Sequence, residues 1–462
     1  MHEEHEQIHL PFDNETGVSL TPEFVDLVVA CFHADEASTV RPLVLPLPAP
    51  DLAELLDQLE PEARRWLTEA IAQEFDSDIL PELSEEAAED VVDALGAIKT
   101  AEALAELESD DAVHIIENLA PAEQNEILEG LPTELREEIE EGLTYPDESA
   151  GRLMRKHLVS VPENWTVGDT IDYLRAQEEL PEHFYVIYVV DARNHPLGRL
   201  LLGTMLQHKR DVKIADILTP ATYAVDAYTD QEEVAHLFRK YALVETPVVN
   251  EEGVLVGTIT VDDVVDVMQE EDDEDYLRAG GVTYQDIKTR LLATARSRFH
   301  WLFVNLLTAI LASMVVGLFE ATIEQIVALA VMMPIVASMG GNAGTQSVTV
   351  SVRAIAMKYI SEQNRRAFVQ KEALIGLLNG LALGMIMAVG IFLWFADIKL
   401  ALVMFLAAVV TMTVAGLFGA WIPIMLQRMK VDPAISSSIF LTTVTDCMGF
   451  FSFLGLATLI LL

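Results

Sequence analysis

The side chains best suited to chemistry in this chain are oxygen donors, and they recur in a few tight groups. Asp446 lies in an uncharged, largely apolar run, 434–462, some 12 residues from its start, or about 18 Å along a helix at 1.5 Å per residue. Ser438, Thr442 and Asp446 follow one another at i, i+4 and i+8, so a helix would carry two hydroxyls and a carboxylate on one face. A carboxylate at membrane depth is costly and needs a partner. No Lys or Arg occurs between residues 434 and 462, so a cation is the natural one. A hard cation that keeps most of its water needs one or two carboxylates and neutral oxygens around its hydration shell. Asp432-Pro433 opens the same helix, where Asp is either an N-cap or a cation collector at a pore mouth. Upstream, Pro334 precedes Gly340-Gly341-Asn342-Ala343-Gly344-Thr345-Gln346. Three glycines and two amides predict a broken or thinned helix with carbonyls and the Asn342 amide facing a polar path. Close packing of small residues is the alternative. Finally, Thr260–Asp275 gathers Asp262, Asp263, Asp266, Glu270, Glu271, Asp272, Asp273, Glu274 and Asp275. Like charges at i, i+4 destabilise a helix, so this stretch is either a cation-ordered helix or a solvated acidic linker.

The elements that must position these groups divide by charge. Of 462 residues, 73 are acidic, yet only seven acids lie after Ser297; residues 1–297 carry 66 acids against 20 bases, a net of −46, and the remainder carries +2. Two such parts belong in different solvents. A charge of −46 repels phosphates, which excludes a nucleic-acid partner and suits a surface that collects cations. High-salt adaptation or simple solubility also explains such acidity. Cys31 and Cys447 sit in different halves and build neither a disulfide framework nor a cysteine metal site. The opening MHEEHEQIHL lacks the basic and apolar regions of a signal peptide, so the first half is expected to stay in the cytoplasm. His2, His5 and His9 there read as an exposed tail rather than a metal site. We find no nucleophile–base pair, P-loop or closed metal site, so an enzyme is not expected.

Along the chain, the fold class expected is multidomain. Residues 1–50 read as an extension with a short helix near 23–32 and a connector bearing Pro42, Pro46, Pro48 and Pro50. Over 51–148, Leu52, Leu55, Leu56 and Leu59 keep helical spacing, and LEPEA, LSEEA, LESDD and LAPAE mark helix starts, which predicts an all-α solenoid. Strands alternate with helices over 149–272. There Val189–Gly198 and Val248–Gly257 align at an offset of 59 residues. This tandem strand–turn–strand–helix unit resembles an α/β pair of CBS domains, 149–212 and 213–272. Gly257, Thr260 and Asp263 resemble the adenosine-binding signature of some CBS pairs, which implies one ATP or AMP site; the first repeat has Gly198, Leu201 and Thr204 instead. A connecting helix is expected over 273–297. The rest, 298–462, reads as five membrane spans, near 301–319, 325–357, 373–395, 400–426 and 434–462. With the first half inside the cell, Lys358, Arg365, Arg366 and Arg428 fall on inner connectors and only Lys399 outside, as the positive-inside rule requires.

Taken in order, an acidic helical domain, a CBS pair, a connecting helix and five spans resemble the MgtE family of Mg²⁺ transporters. The Gly-Gly-Asn-x-Gly-x-Gln stretch, Asp432-Pro433-Ala434 and Asp446 carry the likeness most specifically, over residues 51–462. The resemblance implies a homodimer in the cell membrane with a pore lined by the second and fifth spans. It implies that the residue at Asp446 holds hydrated Mg²⁺, and that cytoplasmic Mg²⁺ bridging acidic residues closes the pore. The implied sensor residues are Asp263, Asp266, Glu271, Glu274 and Asp275, with Asp110 or Asp111 facing them, Glu232 at a further acidic site and Asp432 near the connecting helix. Ala242, at a position that can be acidic, and Ser438 and Thr442, in place of other pore residues, depart from the family pattern. Competing readings are a transporter of another divalent cation such as Mn²⁺ or Co²⁺, since hard oxygen ligands discriminate poorly among them, and a membrane-anchored nucleotide-sensing CBS module.

Overall fold

The computed structural model describes residues 20–177, 180–181, 184–220, 223–280, 282, 291–431 and 433–462. The chain forms two compact units, Met1–Gln269 and Glu270–Leu462.

The first unit begins with a stack of short helices: α1 (Pro22–Ala34), α2 (Ala37–Val44), α3 (Ala49–Gln58), α4 (Pro61–Ile71), α5 (Glu85–Leu95), α6 (Ala97–Leu104), α7 (Ser109–Glu117), α8 (Pro121–Gly130) and α9 (Thr133–Gly142). Proline in the first turn of α1, α3, α4 and α8 fixes φ where no intrahelical N–H bond is lost. Ser84 caps α5 by accepting from the Ala87 amide, and its hydroxyl donates to Asp57 at 2.6 Å. One continuous apolar core holds the stack, with Leu55, Leu56, Leu67, Ile71, Leu104, Ile116 and Ile139 fully buried. Burying each contributes about 1.5–3 kcal/mol. Residues 37–44 differ from expectation: they form a helix rather than a proline-rich connector. Pro42 removes one backbone hydrogen bond from α2, but Val40 and Val44 are fully buried in the same core, and that burial outweighs the lost bond.

Two small sheets follow. The first takes the order β1 (Ser160–Pro162), β2 (Val186–Val190), β3 (Pro196–Leu201), β4 (Thr219–Pro220), with α10 (Val167–Ala176) and α11 (Leu202–Leu206). The second is β5 (Val225–Asp226), β6 (Glu245–Val249), β7 (Leu255–Thr260), with α12 (Gln231–Tyr241) and α13 (Val261–Ala279). The repeat seen in sequence is repeated in register. Val189 pairs Gly198 and Val248 pairs Gly257, and each antiparallel pair shifts register at the next residue, Val190 or Val249. The two repeats are joined through Glu245 of β6. Its carboxylate accepts the amides of Tyr185 at 2.6 Å and Val186 at 3.2 Å at the start of β2.

The second unit contains five helices long and apolar enough to cross a membrane. They lie within α14 (Leu291–Gly317), α16 (Ala328–Ala356), α17 (Arg365–Phe395), α18 (Ile398–Arg428) and α19 (Pro433–Leu461), with a short α15 (Glu320–Gln325) between the first two. Glycines set the close approaches. A Cβ at Gly376 would lie 2.3 Å from the Met412 carbonyl oxygen, and one at Gly416 would lie 2.5 Å from that of Glu372. The expected break at Gly340–Gly344 is absent, because α16 runs unbroken from Ala328 to Ala356 through Pro334. Instead the glycines admit neighbours. A Cβ at Gly340 would meet Thr411 Cγ2 at 2.6 Å, and one at Gly344 would meet Leu441 Cδ2 at 2.7 Å. The connecting helix expected over 273–297 lies partly outside the described residues, at 281 and 283–290.

Candidate functional site

Asp446 stands mid-way along α19, half-buried, with Thr442 one turn earlier and exposed. The unbroken helix puts Thr442 and Asp446, four residues apart, on one face. The side chain of Ser438, and the whole of Asp432, lie outside the described residues. Gly449, on the next turn after Asp446, faces Thr411 of α18 and Val336 of α16. Thr445 is buried and donates to the Thr442 carbonyl at 3.1 Å. Asn342 is exposed on α16. Glu372 is a second carboxylate within these helices, and one the sequence patterns do not single out. It is buried on α17, where Ser347 Oγ of α16 donates to it at 3.0 Å.

In the first unit the acidic residues converge on a cation that sequence patterns missed. Arg155 sits between the helical stack and the second sheet. Its backbone bridges Thr258 of β7 through two hydrogen bonds of 2.8 and 3.0 Å. Its guanidinium donates to Asp110 of α7 at 2.9 Å, and to Asp263 and Asp262 of α13 at 2.7 and 3.1 Å. Burial would lower the Arg155 pKa, but the charges of Asp110, Asp263 and Asp262 more than offset it and hold the group charged. One cation does not satisfy all these acids. Asp110 Oδ1 is buried with no hydrogen-bond partner. Burial first, then the charge of Asp263, raises Asp110 well above the usual carboxylate range and pushes Asp111 up to about 6. Burial likewise raises Asp266, with Asp263 and Asp262 adding to it. Burial raises Glu82, before α5, and the charge of Asp266 adds to the shift. An orphaned carboxylate oxygen among mutually repelling acids fits a bound divalent cation.

The other candidates are placed differently. Glu232 is exposed in the first turn of α12, where the Asp230 cap accepts its amide at 2.9 Å. Glu271 and Glu274 lie on α13 beyond Asp266, with Glu274 paired to Arg278 four residues on. Between them Asp272 accepts from Arg353 of α16 at 2.7 Å. The side chain of Asp275 lies outside the described residues. Among the described residues, no three His, Cys, Asp or Glu side chains form a ready-made metal site. Ions that keep their water need none. The nucleotide candidates are engaged by Met154 and Arg155. A Cβ at Gly257 would lie 2.7 Å from Met154 Sδ and 2.9 Å from the Arg155 carbonyl, while Thr260 Oγ1 donates to Asp263, which Arg155 also holds.

Comparison with known proteins places the chain in a family. Residues 333–456 match the family model described as "Divalent cation transporter", 47–148 match "MgtE intracellular N domain", and 214–270 match "CBS domain". A magnesium transporter MgtE of Thermus thermophilus is 35% identical over 344 residues, covering 74% of this chain and 76% of that one. One of Enterococcus faecalis is 33% identical over 322 residues, covering 70% and 71%. The crystal structure of the cytosolic domain of the Mg²⁺ channel MgtE in complex with ATP is 31% identical, with a TM-score of 0.48, covering 53% of this chain and 99% of that one. The chain belongs to the MgtE family of divalent cation transporters.

Proposed function

We propose that this chain conducts Mg²⁺ into the cytoplasm through a pore built by two copies, and that cytoplasmic Mg²⁺ held by its acidic domains closes that pore. The observation that carries conduction is Asp446, a half-buried carboxylate in a helix that contains no Lys or Arg. Its oxygens and the Thr442 hydroxyl can accept hydrogen bonds from the water shell of a passing ion, which loses little hydration. Curated relatives named as magnesium transporters support Mg²⁺ as the cargo. Mn²⁺ and Co²⁺ share the same oxygen chemistry and are the rival cargoes.

Closure rests on differential affinity. The acids at Asp110, Asp111, Asp263 and Asp266, with Glu82 beside them, repel one another when brought together. A compact arrangement therefore binds divalent cations more tightly than a splayed one, and only that difference shifts the equilibrium. Moving from mostly open to mostly closed takes about 5.5 kcal/mol. Several weak sites acting together, with Glu232, Glu271, Glu274, Asp275 and Asp432 as further contributors, give a steep response. The segment 273–297 carries the change to the fifth span.

The test is ion flux into liposomes holding the purified protein. Mg²⁺ should enter, Asp446→Asn should reduce the flux at least tenfold while leaving the protein folded, and high Mg²⁺ on the cytoplasmic face should stop it. Parallel runs with Mn²⁺ and Co²⁺ rank the cargoes. Parental flux from a folded Asp446→Asn protein would remove Asp446 from the pathway.

A further inference from the structure

We propose that Arg155 is a tethered counter-ion that holds the helical stack against the second repeat when divalent cation is scarce, taking the place of one regulatory ion. The inference deepens the proposed closure and rests on that reading of the acids as cation-responsive. The geometry is that of a built site. The Arg155 side chain is only 13% exposed, and the Asp110 side chain only 7%. Its backbone is anchored on both sides of Thr258, and the bare Cα of Gly257 lets Met154 and Arg155 lie against β7. From this fixed root the guanidinium fork spans two elements, with Nε on Asp110 of α7 and Nη2 on Asp263 and Asp262 of α13. A rigid fork that matches carboxylates is what arginine offers and lysine does not.

One charge is too few for the acids around it. Asp110 Oδ1 keeps no partner, and Asp111 and Asp266 add their charge to the same junction. The junction therefore has a permanent cation and an unmet demand for another. The permanent one offsets part of the repulsion and limits how far the stack separates from the second repeat at low Mg²⁺. The unmet demand leaves the junction responsive to Mg²⁺.

The experiment is limited proteolysis of the full-length protein in detergent, in chelator and across a Mg²⁺ titration, for the parent, Arg155→Gln and Arg155→Lys. In chelator the half-life of the intact chain should fall about tenfold or more in Arg155→Gln, because removing one partner leaves buried carboxylates uncompensated. It should fall less in Arg155→Lys, which keeps the charge without the fork. In saturating Mg²⁺ the half-lives should converge. An Arg155→Gln half-life in chelator equal to the parent's overturns the proposal, and so does a loss that Mg²⁺ fails to restore. If Arg155→Gln does not fold, Arg155→Lys decides: a half-life shortened in chelator and recovered in Mg²⁺ supports the tether, and an unchanged one refutes it. Whether the acids sense Mg²⁺ for the pore is judged separately, by closure of the parent's flux at high internal Mg²⁺.

Discussion

Protons should partly replace Mg²⁺ at the acidic junction. Asp111, pushed up to about 6 by burial and by Asp263, is protonated in the folded chain at pH values where an unfolded Asp is ionised. The sign follows from linkage: the folded state binds more protons between about pH 4 and 6, so stability falls as pH rises through that window. Asp110, Asp263 and Asp266 shift the same way, burial being the first cause of each. The charges facing them are Arg155, Asp262, Glu108 and His114. In chelator, protease resistance of the parent should therefore rise as pH falls from 7.5 to 5.5, and a flat or opposite trend would contradict this electrostatic account. The acids themselves were legible in the sequence, because Asp110-Asp111 and Asp262-Asp263 are consecutive and sit at helix starts. Arg155 was not, because its partners are 45 and 108 residues away and no local pattern links them. One hint was present: Arg152, Arg155 and Lys156 cluster in a half of the chain that holds 66 acids against 20 bases, so any of them that is buried has acids to meet.

Hydrophobic length and repeat were enough to place most elements. The five spans follow from runs that only lipid or a core can cover, and the duplicated hairpin follows from its 59-residue offset. What composition could not settle was the use of the glycines. Gly340 and Gly344 read first as a break and only second as a contact surface, and the neighbours, Thr411 and Leu441, decide for contact. The contact reading makes a firm expectation elsewhere in the same bundle. At Gly416, where a Cβ would sit 2.5 Å from the Glu372 carbonyl, leucine must push α17 and α18 apart. Overpacking of this kind costs about 1–3 kcal/mol or more. Gly416→Leu should lower the melting temperature in detergent by several degrees, whereas Gly341→Ala, with nothing within 4 Å of its Cβ and alanine the better helix former, should leave it unchanged or raise it. Equal melting of the Gly416 variant and the parent would refute the packing role.

The molecule is a multi-pass membrane protein with its acidic domains in the cytoplasm, and its charge follows that division. Helical spacing and charge asymmetry made the division legible, but not where the soluble part begins. The family model for the intracellular domain starts at residue 47. The core starts earlier. Phe24, Val28, Cys31, Val40 and Val44 of α1 and α2 lie in the same apolar cluster as Leu55, Leu56, Leu67 and Ile71. Phe32 packs edge-on against Trp66 of α4, whose indole donates to Asp35 at 3.1 Å. The first two helices therefore act as a lid on the solenoid's open end, the part a repeat protein needs to stay soluble. A shortened gene starting at residue 47 would translate a chain with that end bare. It should yield mainly aggregated or protease-degraded protein, while a start at residue 20 should yield soluble expression of the full membrane assembly after detergent extraction. Size-exclusion profiles of the two would tell them apart, and a monodisperse product from the shorter gene would mean the lid is dispensable.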